Sequence, residues 1–177
     1  MQLAEFPAEI KLPDNRKINV TNTGDSRDIA LDTLWNAIEV GADAYHAAVA
    51  GLAAATHCKW VYVTKLTDDQ KQAAVLAMWQ TDTFADCFTY ELKNTPCELV
   101  LKSENQKLIQ RAAEKFPEDD LLLEMGVEDY LGQSYKNKSG KIVGHIGLMH
   151  DLPFIEISSL EESLGVIVKA LEIELAN

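Results

Sequence analysis

The chain has 177 residues, 47% hydrophobic and 25% charged, which is the size and make-up of one globular domain with its own core. Its 28 acidic residues outnumber 16 basic ones, and a formal net charge of -12 repels a phosphate backbone or an anionic bilayer, so neither nucleic acid nor membrane is an expected partner. Three cysteines, Cys58, Cys87 and Cys97, are too few and too odd for a disulfide framework. The first residues carry neither a basic nor an apolar leader region, and no segment reaches the ~18 apolar residues of a membrane span, so a reducing, cytoplasmic setting is expected.

Residues 1–24 show no helical period and read as an N-terminal extension, with the domain proper over 25–177. Within the extension, Pro13-Asp14-Asn15 separates two short extended pieces, which form either a small hairpin or a loose arm. From Asp25 the period changes. Leu31, Leu34, Trp35 and Ile38 recur at i, i+3, i+4 and i+7 behind Asp25 or Ser26 as a cap, predicting a helix over about 26–40. Gly41 ends it, and an alanine-rich second helix follows over about 42–56.

The pattern then turns to strands. Trp60-Val61-Tyr62-Val63-Thr64, the turn at Thr67-Asp68-Asp69, and the run from Ala73 to Trp79 predict an antiparallel hairpin over about 59–79. In the middle, Phe88 to Leu92 reads as extended and Asn94-Thr95-Pro96 as a turn. Short helices are expected around 105–115 and 118–125, the second with Glu118-Asp119-Asp120 after Pro117 as its acidic first turn.

A second hairpin joins Tyr130-Leu131-Gly132 to the apolar run Ile142 to Met149 through Asn137-Lys138-Ser139-Gly140. The lysines around that turn, Lys136, Lys138 and Lys141, read as a solvated loop tip. Ile142, Ile146 and Leu148 are expected on one face and Val143 and Met149 on the other. A strand apolar on both faces belongs in the centre of its sheet, and Gly144 and Gly147 leave room for a helix or ligand to approach. The chain closes with Ser159-Leu160-Glu161-Glu162 as a capping box before an amphipathic helix over about 160–175. Helices grouped around antiparallel strands in this order define an α/β protein of the α+β type.

The segments Phe88-Thr89-Tyr90-Glu91-Leu92, Asn94-Thr95-Pro96-Cys97-Glu98, Phe116-Pro117, Tyr130-Leu131-Gly132 and Gly140 to Ile146, followed by Met149-His150-Asp151, resemble in order and spacing the GAF domains of bacterial sensor kinases and diguanylate cyclases. The resemblance spans about 28–176. It implies a central antiparallel sheet of about six strands with the N- and C-terminal helices packed on one face and a pocket under the middle loops on the other. It also implies small-molecule sensing, homodimerisation through the terminal helices, and relay to an output domain, a kinase or a diguanylate cyclase, in the same or another chain. A final helix running to the last residues fits such a continuation. Leu31, Leu34, Trp35, Ile38, Leu164, Ile167 and Leu171 are the expected dimer contacts; their stripes also suit packing of the two helices within one chain. A scaffold that dimerises without a ligand fits the same pattern.

No cofactor is identified. The cyclic-nucleotide pattern of this family and the Asp-Ile-Pro core of its bilin-binding members are absent. The enzymatic alternative is a GAF-fold thiol reductase of free methionine sulfoxide. Cys87 and Cys97 stand ten apart as in that family, but its third cysteine has no counterpart after Phe116-Pro117. His46, His57, His145 and His150 make no metal-ligand pair with a cysteine, and His145 and His150, five apart on one strand, face opposite sides. No catalytic residue or metal ligand is assigned. For a bound small molecule the expected lining is Phe84, Phe88, Tyr90, Cys97, Phe116 and Tyr130, all of which also fit a plain core. Tyr90 and Tyr130 stand out, because a buried phenol needs a polar partner.

Overall fold

The computed structural model describes residues 5–177, so the leader reading at residues 1–4 lies outside the described part. The extension is a hairpin of β1 (Glu9–Lys11) and β2 (Lys17–Asn19), and it is not loose: Ile10 and Ile18 are buried against the main core. Helix α1 (Ser26–Glu39) starts at Asp25, whose carboxylate accepts the Asp28 N–H, and α2 (Ala44–Thr56) starts at Asp43, which caps His46 in the same way. The first long hairpin is β3 (Trp60–Leu66) and β4 (Gln72–Gln80), followed by short strands β5 (Thr83–Phe84) and β6 (Thr89–Glu91).

The middle segment departs from its sequence reading in two places. Thr95-Pro96 does not merely turn the chain. Thr95 Oγ1 accepts the Glu98 N–H and Pro96 occupies the first turn of α3 (Pro96–Leu101), where a missing N–H is harmless. The helix expected over 105–115 is split: β7 (Lys107–Ile109) pairs with Gly132-Leu131-Tyr130, and only α4 (Ala112–Lys115) is helical. Pairing at a free sheet edge overrides a weak local preference there. Helix α5 (Asp120–Met125) follows, capped by Asp119. Strands β8 (Asp129–Lys136) and β9 (Ile142–His150) form the second long hairpin, and α6 (Ile157–Ala176) closes the chain. It begins before the expected capping box. Ser159 instead lies in its first turn, with its hydroxyl 2.7 Å from that of Ser26 at the start of α1.

The large sheet has seven strands, one more than expected, and is antiparallel throughout, in the order β5-β4-β3-β9-β8-β7 with β6 also on β4. The strand that is apolar on both faces, β9, lies inside it between β3 and β8. Helices α1, α2 and α6 pack together on one face, against Val61, Val63, Ala77, Trp79, Leu131, Ile146 and Leu148. The alanines of α2 allow this close approach; Ala47, Ala48, Ala50 and Ala53 are fully buried. The other face carries Trp60, Tyr62, Val75, Met78, Tyr130 and Met149, covered by α3, α4 and α5. Among the described residues no helix is long and apolar enough to cross a membrane.

Three sequence readings are corrected by this packing. A bulge opposite Tyr135 and Lys136 leaves Val143 unpaired, so it turns to the helix face instead of sharing Met149's side. Gly144 and Gly147 make room for aromatic rings of their own sheet, not for a helix or ligand. A Cβ on Gly144 would meet the Tyr135 ring and the Thr64 carbonyl, and one on Gly147 would lie 2.5 Å from the Tyr62 ring. Of the expected dimer contacts, Leu34, Leu164, Ile167 and Leu171 have 0–1% of their surface exposed and belong to the intrachain core; only Leu31, Trp35 and Ile38 reach the surface. Gly147→Ala should push Tyr62 aside at a cost of about 1–3 kcal/mol, the range for overpacking a dense core, and urea unfolding measures it; an unchanged midpoint would mean that the ring is free to move.

Candidate functional site

The face opposite the three large helices holds a partly open cavity of about 100 Å3. Strand alternation, reset on β4 by a bulge that leaves Leu76 unpaired, supplies its floor: Tyr62 from β3, Val75 and Met78 from β4, Tyr130 from β8 and Met149 from β9. The cover comes from Tyr90 on β6, Thr95, Pro96 and Cys97 at the start of α3, and Asp119, Leu121, Leu122 and Met125 around α5. Phe88 stands at the rim, 39% exposed, with its ring 6.0 Å from that of Tyr90.

Cys97 is the centre of a polar cluster. Tyr90 Oη donates to its sulfur at 3.1 Å and Tyr130 Oη at 3.7 Å, and Tyr62 Oη lies 3.1 Å from it. Three phenols thus converge on one weak acceptor. Burial raises all three phenols well above their usual range, and the neighbouring thiol adds to this. Burial also raises the Cys97 thiol, against the opposing pull of the tyrosine hydroxyls. All four groups therefore stay protonated at neutral pH.

The cluster continues beneath the cavity. Tyr62 Oη is 3.4 Å from His145 Nε2, and His145 Nδ1 is 2.6 Å from Thr64 Oγ1. The carbonyl of Thr64 accepts from Tyr135 Oη at 2.8 Å on the helix side of the sheet. His145 is fully buried, and burial alone pushes its pKa from 6.5 down to about 3, so it is neutral. The one half-buried carboxylate in the lining is Asp119, whose Oδ1 caps Leu122 and whose pKa is raised by burial against the pull of its backbone hydrogen bonds. Glu91, the other acidic lining residue, is exposed. Among the described residues no Lys, Arg or His lines the cavity.

Phe88, Tyr90, Cys97 and Tyr130 are brought together here as the sequence reading places them. Phe84 and Phe116 are not. β5 pairing sets Phe84 beside Trp79, 5.5 Å between rings, and against His46 of α2. Phe116 ends α4 and faces a separate surface groove with Thr95 and Pro117. Tyr62, Met78, Met149 and Asp119 were missed. The period-2 alternation of β3 and β9 could have found Tyr62 and Met149, whereas Asp119 reads from sequence only as a helix cap. Of the other thiols, Cys58 is buried with its pKa pushed up to about 12, and Cys87 is exposed. Among the described residues no three His, Cys, Asp or Glu side chains are grouped to hold a metal.

No family model and no curated protein sequence matches the chain. Solved structures do. The phycoerythrobilin-bound GAF domain of a cyanobacterial phytochrome aligns at 15% identity over 87% of this chain and 96% of that one, with a TM-score of 0.66. The GAF domain of an Acinetobacter phosphoenolpyruvate-protein phosphotransferase aligns at 13% over 86% and 94%, with a TM-score of 0.65. The free methionine-R-sulfoxide reductase of Neisseria meningitidis, solved with its substrate, aligns at 12% over 89% and 94%, also at 0.65. The chain has the GAF fold.

Buried neutral His145 makes stability depend on pH. Its folded pKa lies below the unfolded value, so its contribution is complete above about pH 6.5 and is lost as pH falls toward about 3. The loss is roughly 1.4 kcal/mol per pH unit. His145→Gln should remove that slope from unfolding free energies measured between pH 6.5 and 4; equal slopes in both proteins would mean that His145 is not held neutral.

Proposed function

We propose that this GAF-fold chain is a sensory domain that binds a small molecule in the cavity around Cys97 and relays occupancy through its helices. The observation that carries this reading is the partly open, largely apolar cavity in which three phenols and a thiol turn to one point. Concave, mostly apolar sites with a few convergent polar groups are the usual form of ligand pockets. At about 100 Å3 the cavity is below the ~300–1,000 Å3 of sites for drug-sized ligands. A molecule of only a few heavy atoms suits it, and a bilin such as the phytochrome domain carries does not.

The polar links from Tyr62 through His145 and Thr64 to Tyr135 supply a connection between the cavity and the helix face, where α6 packs on β8. A homodimer through α1 belongs to the same proposal, and the exposed Trp35, together with Leu31 and Ile38, is the surface it would use. An output domain, a kinase or a diguanylate cyclase, is the partner that the GAF resemblance implies.

A second reading, reduction of free methionine sulfoxide, is favoured by the likeness to the Neisseria reductase. The thiols speak against it: Cys97 is held protonated by burial, and the exposed Cys87 has its pKa raised by partial burial and by Asp86 and Asp43, the opposite of an activated nucleophile. Native mass spectrometry of the freshly purified chain tests the sensory reading. It should carry a small co-purified molecule that Val75→Phe, which fills the cavity, displaces, and run as a dimer that Trp35→Glu splits. Turnover of methionine sulfoxide abolished by Cys87→Ser, with no bound molecule, would replace the sensory reading with the enzymatic one.

A further inference from the structure

Resting on the reading that this cavity holds a ligand, we infer that the ligand is a small organic cation of the alkylammonium class. Four features of the lining select it. The walls are aromatic, with Tyr62, Tyr90 and Tyr130 inside and Phe88 at the rim, and the faces of such rings attract ammonium groups. Asp119 places a half-buried carboxylate at the cavity, and among the described residues none in the lining carries positive charge. An anion entering there would meet Asp119 with no counter-charge, whereas an ammonium group would meet a partner.

The third feature is the direction of the hydrogen bonds. Tyr90 and Tyr130 spend their hydroxyl protons on the Cys97 sulfur, so what each oxygen has left to offer is lone pairs. Added to the carboxylate of Asp119, which can only accept when ionised, this makes the site rich in acceptors. It suits a ligand that donates protons or carries diffuse positive charge. The fourth feature is size: about 100 Å3 is well below the ~300–1,000 Å3 of sites for drug-sized ligands, which limits the cation to a few carbons around nitrogen. A chain with a formal net charge of -12 also draws cations toward its surface.

Three of the chain's four methionines, Met78, Met125 and Met149, line the cavity, so 13C-methyl methionine spectra of the whole chain report its occupancy. The probes are tetramethylammonium, tert-butanol and pivalate, a cation, a neutral molecule and an anion of similar bulk. Tetramethylammonium should shift these three methyl signals saturably, and Asp119→Asn, which keeps the helix cap, should weaken it about tenfold, the scale of one partly desolvated ion contact. Pivalate should leave the signals in place, and tert-butanol should bind more weakly and equally in both proteins. Pivalate binding as tightly as tetramethylammonium, or an Asp119→Asn chain that binds tetramethylammonium unchanged, would overturn the cation assignment while leaving the cavity as a ligand site. No response to any of the three probes would remove the ligand-site reading and the assignment with it.

Discussion

Three phenols and a thiol buried at one point must satisfy one another, because an unpaired buried hydroxyl costs about 1–3 kcal/mol. This constraint governs the face of the sheet away from the large helices. Tyr62, Tyr90 and Tyr130 come from β3, β6 and β8, and Cys97 comes from α3, so the cluster joins four elements that are distant in the chain. Gly147 is part of the same arrangement, since any side chain on β9 at that point would occupy the space of the Tyr62 ring. Held toward Cys97, these groups stand around the cavity together with the apolar side chains of Val75, Met78 and Met149.

The two faces of the sheet are built by different means. On the helix side the core is closely packed, with small side chains on α2 and large aliphatic ones on α6, and its buried residues have no surface to offer a partner. On the cavity side the cover consists of three short helices of 4–6 residues and the intervening loops, each started by a side-chain cap or a strand pairing. Short elements bury little apolar surface and open more readily than a packed helical layer. A site that must admit a molecule is better placed under the second kind of cover. His145 and Thr64 lie between the two layers and touch both, which gives the rigid side a polar contact with the site.

Much of the fold was legible in the sequence because its long elements have unambiguous periods. The stripe Leu31-Leu34-Trp35-Ile38, the β-branched run at Trp60 to Thr64 and the doubly apolar strand at Ile142 to Met149 each specified an element and its place. The middle was legible only in part: the extended run at Phe88 to Leu92 and the helix before Met125 were read, but Lys107-Leu108-Ile109 carries no period and becomes a strand only by pairing with β8. Interface residues were misplaced for a related reason. An apolar stripe shows which side of a helix is buried but not whether the covering surface belongs to the same chain, and for Leu164, Ile167 and Leu171 it does. In the site, Tyr90 and Tyr130 stood out through the demands of buried phenols, and Cys97 through its place in the middle segment where the GAF resemblance puts the pocket. Asp119 was hidden because its capping role accounts for it fully at the level of sequence.

The claim that the hydroxyls are held by the Cys97 sulfur is tested most directly by a double-mutant cycle of Tyr90→Phe and Cys97→Ala in urea unfolding. A coupling energy of about 0.5–3 kcal/mol, the range for residues in one buried network, is the expected result. Costs that add to within about 0.3 kcal/mol would mean that the two side chains do not support each other, and the cavity would lose its physical basis.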